Sequence, residues 1–420
     1  MSDKLPERRT LRPNSLGVAA IVFLIIATVA PLGGAISALP LTFGLGTGGG
    51  TPLAFAIVAA VLIIFTFGYI AMSRHITSAG GFYVYIGKGL GQRMARAAGY
   101  VAFISYNVFQ IALWGVFGFF GNVFTSMTFG FEVPWILWVL IGILVMGLLG
   151  YFDINVSSRV LAVAVILEVA IIFAMNIAIL VQGGAEGINF RSFTIAEFSA
   201  GTPAIGLMFA LLLFIGFEAT AIYAEEAREP RRTIPRAAII SVLVIAVFYM
   251  FTSWALALAW GVSESGAIAI ADLGGFTLGA AAMYLGEWSV PVMMILFVFS
   301  TFATNLGFHN AIARYQFSLA RDGWAPRALA KVHPKHQSPF IASITQTVIA
   351  AIVLAAEVVL LVVNWDVQTD GAGGVVPYLP WLLLAAAVAG FAWSTGGRRP
   401  AWLDESAPDT RDTVKDEVAS

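Results

Sequence analysis

The chain lacks cysteine entirely and has few charged residues for its length. With no cysteine among its 420 residues, neither disulfide bonds nor thiol chemistry contribute to its structure or activity. Charged residues make up 11% of the chain and hydrophobic residues 59%, whereas soluble domains average about 25% charged and about 45–50% apolar. This balance excludes an assembly of soluble domains. It predicts an all-α polytopic membrane protein, because open sheet edges do not lie in lipid.

Sequence patterns of enzymes are also missing. The GKGLGQ stretch at 87–92 lacks the Gly-Lys-Ser/Thr ending and the preceding strand of a phosphate-binding loop. The four histidines show no metal-ligand spacing, and no nucleophile is paired with a base: His75, His309, His333, His336. We therefore expect no enzymatic activity, no cofactor, no metal site and no nucleic-acid partner.

Long apolar runs, in contrast, are abundant. A membrane-spanning helix needs about 20 mostly apolar residues. Ten stretches qualify: 15–39, 53–73, 97–127, 133–151, 157–181, 203–224, 237–260, 283–313, 340–363 and 377–396. We expect a transmembrane domain at 15–396 between two tails, 1–14 and 397–420. The glycine-rich residues 44–50 are expected to form a flexible outer linker.

The basic residues predict how these spans are oriented. If the spans alternate from a cytoplasmic N-terminus, every one of the 23 Lys and Arg residues except Arg191 falls on the cytoplasmic side. The positive-inside rule then predicts that both termini are cytoplasmic, in a multi-pass protein of the plasma membrane. The charged segment 225–236 becomes a cytoplasmic loop. The polar N-terminus shows no removable signal peptide.

Two spans are interrupted. The sixth contains Gly216, Phe217 and Glu218, and a carboxylate at membrane depth costs about 2.5–3.5 kcal/mol on insertion scales. The first contains Pro31 with Gly33 and Gly34, which taken alone fit an ordinary kink as well as a functional break. Paired interruptions in corresponding positions of two halves indicate a transporter binding site. Because they lie five spans apart, the two halves would be inverted repeats.

The backbone of two broken helices can bind a zwitterion. Free N–H groups at the start of a half-helix favour an anion such as a carboxylate. Free carbonyl groups favour a cation such as an α-amino group. A small-molecule amino acid or related amine therefore fits such a pair of breaks.

Two other spans carry polar residues with more than one interpretation. Glu168 lies near the middle of the fifth span, where it is either a proton-coupling group or a permanently protonated residue bonded to the first or eighth span. Protons are therefore a candidate partner besides the substrate and the lipid bilayer. In the third span, Asn107 and Gln110 share a face and serve either substrate selectivity or interhelical hydrogen bonding.

The eighth span offers hydroxyl groups for a sodium ion. Ser300, Thr301 and Thr304 could coordinate sodium together with carbonyl groups of the first span. Serine and threonine in membrane helices also commonly hydrogen-bond to the helix backbone. We favour that second interpretation.

Two stretches carry a family resemblance. GFEATAIYAEEAREPRRTIPRA, within Pro203–Ala237, resembles the sixth helix and following loop of amino acid permeases of the amino acid–polyamine–organocation (APC) superfamily. NLGFHNAIARYQFSLARDGWAPRALAKVHPKHQSP resembles the eighth helix and its cytoplasmic loop, whose basic residues hold an inner gate or meet anionic lipid. The resemblance implies a five-plus-five inverted-repeat transporter fold with helices 1 and 6 interrupted at the substrate.

The resemblance also implies the site and the activity. It assigns the substrate carboxylate to the first break, at Ala30, Pro31, Leu32, Gly33 and Gly34. It assigns the amino group to the second break, at Phe214, Ile215, Gly216, Phe217, Glu218, Ala219 and Thr220. Phe217 is either an aromatic gate or a packing residue. Since the family carries Glu at the position of Glu218 for varied substrates, a structural role is favoured there. The implied activity is secondary active transport by alternating access, coupled to protons or to exchange.

The chain departs from the family near its C-terminal end. Family members usually have twelve helices, and the stretch 340–396 is shortened, as if the tenth helix were missing and parts of the ninth and eleventh were fused. The first break also reads P-L-G-G rather than the commoner G-x-G. These departures leave one alternative, a non-transporting amino acid sensor or a degenerate permease remnant.

Overall fold

The computed structural model describes residues 14–73, 76, 80–151, 154–333 and 338–363. Across these residues the chain is helical, with a single isolated β-bridge between Leu16 and Ala227 and no strand. The longer helices are α1 (Val18–Val29), α2 (Pro31–Ser37), α3 (Thr51–Ser73), α4 (Phe82–Leu90), α5 (Gln92–Phe129), α6 (Trp135–Tyr151), α7 (Ile154–Gln182), α8 (Pro203–Leu212), α9 (Pro230–Trp260), α10 (Ser265–Ala271), α11 (Phe276–Leu285), α12 (Ser289–Arg321) and α13 (Phe340–Val363). Short helical segments are Leu39–Leu41, Thr42–Thr47, Gly48–Gly50, Arg191–Phe193, Ile195–Ala200, Phe217–Tyr223 and Arg327–Ala330.

The first nine predicted spans each coincide with described helices. The first corresponds to α1 and α2, and the sixth corresponds to α8 together with the 3₁₀ segment Phe217–Tyr223. By length and composition, seven of the described helical segments can cross a membrane, or eight if the bent pair α10–α11 is one span; α6 and α13 are shorter apolar helices. The tenth predicted span, 377–396, and the C-terminal tail lie outside the described residues.

The prediction of a flexible linker at 44–50 is wrong. The chain there continues as a π-helical turn, Thr42–Thr47, and a 3₁₀ turn, Gly48–Gly50. Its glycines allow other backbone segments to approach closely: a Cβ on Gly50 would lie 2.4 Å from the Cα of Phe198, and one on Gly49 would lie 2.2 Å from the carbonyl oxygen of Val262. The glycines therefore serve packing.

The predicted cytoplasmic loop at 225–236 is also shorter than expected. Helix α9 begins at Pro230, so its first turns contain the basic residues assigned to the loop. Proline suits the first helical position, because the N–H that it lacks would have no partner within the helix. The charge pattern therefore placed the helix start too late.

Small residues bring α5 and α6 close together. A Cβ on Gly118 would lie 2.8 Å from the carbonyl oxygen of Trp135, and a Cβ on Gly121 would lie 2.5 Å from the indole of Trp138. On α6, a Cβ on Gly142 would lie 2.5 Å from the indole ring of Trp114 on α5. Such close packing stabilises helix pairs in lipid, where the hydrophobic effect no longer drives association.

The broken first helix is central. Helix α1 packs against α7, α9 and α12, and its residues from Leu24 to Val29 are buried. Helices α10 and α11 are bent by 113° relative to each other. This bent pair contacts the second half of the broken first helix, α2, since Thr277 Oγ1 donates a hydrogen bond to the carbonyl oxygen of Ala35 at 2.6 Å. Both halves of the first span are thus held by surrounding helices.

Candidate functional site

The first break is a single residue, Ala30. Its backbone is left-handed, with φ +50°, between the end of α1 and the start of α2. A non-glycine residue in this region is uncommon and persists when its surroundings hold it there. The hydroxyl of Tyr249 lies 3.4 Å from the carbonyl oxygen of Ala30. The predicted interruption of the first span is therefore present.

The second break extends over Leu213–Gly216. Helix α8 ends at Leu212, and the chain resumes as a 3₁₀ segment at Phe217. Gly216 has φ +114°, a conformation in which an L-residue is strained. The interruption predicted from Gly216–Glu218 is therefore present, and its last residue, Gly216, has a backbone conformation that favours glycine.

The two breaks face each other. A Cβ on Gly216 would lie 3.1 Å from Cγ2 of Thr28, just before the first break. A Cβ on Gly34 would lie 2.5 Å from Cδ2 of Leu213. Backbone of one broken helix thus meets side chains of the other at both contacts. The structure brings together Ala30–Gly34 and Phe214–Thr220, and substrate binding there stays a prediction.

Glu168 connects the first break to two neighbouring helices. Its side chain is fully buried, and its Oε2 accepts a hydrogen bond of 2.6 Å from Ser300 Oγ on α12. The same Ser300 Oγ accepts the Gly33 N–H at 3.1 Å, and the backbone of Leu32 also faces the carboxyl group. Backbone N–H groups at the start of α2 are thus directed at Glu168 and Ser300. The sequence suggested bonding to the first or eighth span, and both contacts are present.

Glu218 plays a comparable part at the second break. Its Oε2 accepts the N–H of Gly216 at 2.9 Å, and its Oε1 accepts the hydroxyl of Tyr106 on α5 at 2.5 Å. Close by, the hydroxyls of Tyr69 and Thr220 are 2.8 Å apart. Glu218 therefore satisfies the backbone of its own break and ties it to α5, which agrees with the favoured structural interpretation.

Asn107 is part of a network of amide side chains. Its Oδ1 accepts a hydrogen bond of 2.8 Å from Gln346 Nε2 on α13, which also bonds Gln110 Oε1 at 2.9 Å. Gln316 on α12 donates to Gln346 Oε1 at 2.8 Å. These contacts are interhelical hydrogen bonds, one of the two interpretations of Asn107. The sequence analysis missed Gln346 and Gln316, although Gln346 is an amide in a mostly apolar span.

Two aromatic residues of the second break pack against α3. Phe217 is buried and meets Phe65 edge to face, with ring centroids 6.3 Å apart. Phe214 is fully buried, with its ring centroid 6.5 Å from that of Phe55. These contacts fit the packing interpretation of Phe217 and leave the gate interpretation a prediction.

The hydroxyl groups on α12 are engaged with protein groups. Thr301 donates to the carbonyl oxygen of Phe297 at 3.0 Å, and Thr304 donates to that of Ser300, also at 3.0 Å. This is the backbone bonding that we favoured over a sodium site. Among the residues that the structure describes, no cluster of three or more His, Asp or Glu side chains is arranged to hold a metal ion.

A network of ion pairs joins the segment after the second break to α12. Arg314 binds both carboxylate oxygens of Glu226, at 2.8 and 3.0 Å, and both side chains are almost fully buried. Arg321 binds Glu225 in the same bidentate way, at 2.9 and 2.6 Å. The backbone N–H groups of residues 15 and 16 donate to the carbonyl oxygen of Glu226. The segment after the second break is therefore tied both to α12 and to the residues that precede α1.

Comparison with known proteins agrees with this architecture. The family model described as "Amino acid permease" matches residues 16–392, which is most of the chain. The chain belongs to the amino acid permease family. This permease is therefore a membrane transporter and not an enzyme, and the resemblance seen in its sixth and eighth spans is confirmed.

Curated relatives of this permease are transporters. It is 25% identical over 350 residues to the branched-chain amino acid permease BcaP of Bacillus subtilis, covering 79% of this chain and 72% of the relative. It is 22% identical over 346 residues to the low-affinity putrescine importer PlaP of Escherichia coli, covering 77% and 70% of the two chains.

Solved structures confirm the inverted-repeat transporter fold of this permease. A sodium-coupled sialic acid symporter aligns with TM-score 0.55 and 13% identity, covering 85% of this chain and 78% of the other. Mhp1, a nucleobase-cation-symport-1 family transporter, aligns with TM-score 0.52 and 13% identity, covering 83% and 74%. At this identity the likeness concerns the fold alone.

Proposed function

We propose that this permease moves an amino acid or related amine across the plasma membrane by alternating access, binding it between its two broken helices. The observation that carries the proposal is the contact between the breaks at Ala30–Gly34 and Phe214–Thr220. Its relatives include a branched-chain amino acid permease and a putrescine importer, and they support this substrate class. Breaks near the bilayer midplane are where such transporters bind substrate.

The cytoplasmic placement of both termini is part of the proposal. Its support is the distribution of Lys and Arg, of which only Arg191 falls on the outer side. The ion pairs of Glu225 and Glu226 with Arg321 and Arg314 would then close the cytoplasmic side. Inward opening must separate these pairs or carry them along together. The Arg314–Glu226 pair is almost fully buried, so its two charges must move together or be rehydrated as this side opens.

We further propose that Glu168 couples transport to a proton. An ionised carboxylate only accepts hydrogen bonds, so it can receive the Ser300 hydroxyl while Ser300 receives the Gly33 N–H. Protonation adds an O–H donor while the carboxyl group keeps acceptor capacity, so it changes the hydrogen bonds that Glu168 can make with Ser300 and the backbone of Leu32. Because these bonds reach the backbone of α2, the protonation state of Glu168 acts on the first break.

A proteoliposome uptake panel tests the proposal. The purified full-length protein would be given labelled branched-chain amino acids, other amino acids and putrescine, with and without an inward proton gradient. We expect uptake of at least one of these compounds, increased by the gradient, and none in protein-free liposomes. Binding without any uptake would indicate the sensor alternative. Uptake at the same rate with and without the proton gradient would contradict proton coupling.

A further inference from the structure

An apolar groove follows α7 and α9 beside the first break. One cavity of about 570 Å³ is lined by side chains of α1, α7 and α9, with Pro31 at the start of α2. A second cavity of about 330 Å³ adjoins it, because Phe173 and Val247 line both. The lining side chains are apolar apart from the hydroxyl of Tyr249, turned toward the carbonyl oxygen of Ala30, and the indole N–H of Trp254, which bonds the carbonyl oxygen of Asn189.

The groove opens to the outside of the helix bundle. Its rim includes Ile166, Leu243 and Val247, which are 55%, 43% and 54% exposed, whereas Val165 and Phe248 in its floor are buried. Apolar side chains exposed in membrane-spanning segments face the hydrocarbon of the bilayer. Lipid chains are therefore the molecules that surround this opening.

The groove has the length of one bilayer leaflet. On α9 its lining extends from Leu243 to Trp254, which at a rise of about 1.5 Å per residue is about 16 Å. Half of the hydrocarbon core of about 30 Å is about 15 Å. At the Trp254 end, the indole N–H bonds the carbonyl oxygen of Asn189, and its ring stacks on Phe190 at 5.1 Å. Such aromatic clusters mark the membrane–water interface.

We propose that this groove is a binding site for one acyl chain of a membrane phospholipid. The acyl chain enters at the aromatic cluster, passes Val29, Pro31 and Tyr249 beside the first break, and ends near Leu243. The lining offers no ion-pair or hydrogen-bond partner for a carboxylate or an ammonium group, so the transported substrate does not fit there. The site adjoins the proposed substrate site at Pro31 and does not depend on the direction or coupling of transport.

Filling the groove with protein side chain tests the proposal. Ala170 on α7 is exposed and lines the groove, so Ala170→Trp places a large ring across it. Val247→Phe fills the same space from α9. The control is Leu167→Trp, which adds the same ring to α7 at a residue that is 50% exposed and outside the lining. Native mass spectrometry would count the phosphatidylglycerol molecules retained by each full-length protein after detergent exchange.

We expect the unmodified protein and Leu167→Trp to retain one phospholipid that both groove variants lose, with all four proteins folded by circular dichroism. Since the proposed contact is with the acyl chain, dioctanoyl lipid, whose chains are too short to fill the groove, should be retained much less than dipalmitoyl lipid. Phosphatidylcholine should be retained as well as phosphatidylglycerol, because the groove carries no charge. Equal retention by the groove variants and the control, or retention that requires the anionic headgroup, would overturn the proposal.

Discussion

Replacing Glu168 with glutamine is expected to remove the proton-driven component of uptake, so that uptake falls to its level without a gradient. Glutamine keeps the size of the side chain and can still accept the Ser300 hydroxyl, but it does not take up or release a proton. Exchange of internal for external substrate requires no net proton movement and should persist. The measurement is labelled uptake and counterflow in proteoliposomes containing Glu168→Gln.

The matched control is Glu218→Gln. Both carboxyl groups satisfy the backbone of a broken helix, Glu168 through Ser300 and Glu218 through Gly216 and Tyr106. Only Glu168 is proposed to couple transport to a proton. Gradient stimulation should therefore survive in Glu218→Gln. If Glu168→Gln keeps its gradient-driven uptake, Glu168 has no part in coupling; if only Glu218→Gln loses it, the assignment must move to Glu218.

Substituting alanine for Gly216 should reduce uptake by about five- to 150-fold. The backbone at φ +114° is strained for any residue with a Cβ, at a cost of about 1–3 kcal/mol, and 1.4 kcal/mol corresponds to a factor of ten. The new methyl group would also lie 3.1 Å from Thr28 Cγ2. The second break must then shift relative to the first, which changes the space between them. Initial uptake rates at matched protein content would measure this.

Gly68→Ala is the control for this substitution. Gly68 lies inside the continuous helix α3, and a Cβ there would meet no atom within 4 Å. Alanine at such a position favours the helix by about 0.5–1 kcal/mol, so uptake should be unchanged. Unchanged uptake in Gly216→Ala would show that the geometry of the second break does not govern transport.

The sequence sufficed to predict the features that depend on local composition. Apolar runs located nine helices, and glycine and proline located both breaks. The predicted helix limits were less accurate where a helix extends beyond its apolar run. Helix α9, for example, begins at Pro230 within the charged segment. The Gly48–Gly50 run was read as flexible because glycine-rich segments usually are, whereas here its lack of side chains admits the backbone at Phe198 and Val262.

The contacts of the site could not be predicted from local patterns. Glu168 and Ser300 are 132 residues apart in the chain, and Asn107 and Gln346 are 239 apart. A polar residue in an apolar span indicates that a partner is needed, but not which one. The sequence therefore identified Glu168 and Asn107 as important and left their interpretations open. The structure gives Asn107 a partner on α13 and brings Glu168 to the first break.

The most direct test of substrate binding between the breaks uses the absence of cysteine in the chain. Leu213→Cys places a single thiol where the side chain of Leu213 meets Gly34, and Val181→Cys places one at the 81% exposed end of α7. Alkylation by N-ethylmaleimide would be timed with and without the compound that gives the strongest uptake in the panel. We predict that this compound slows alkylation at residue 213 and leaves residue 181 unaffected. Equal rates at residue 213 with and without the compound would contradict binding between the two broken helices.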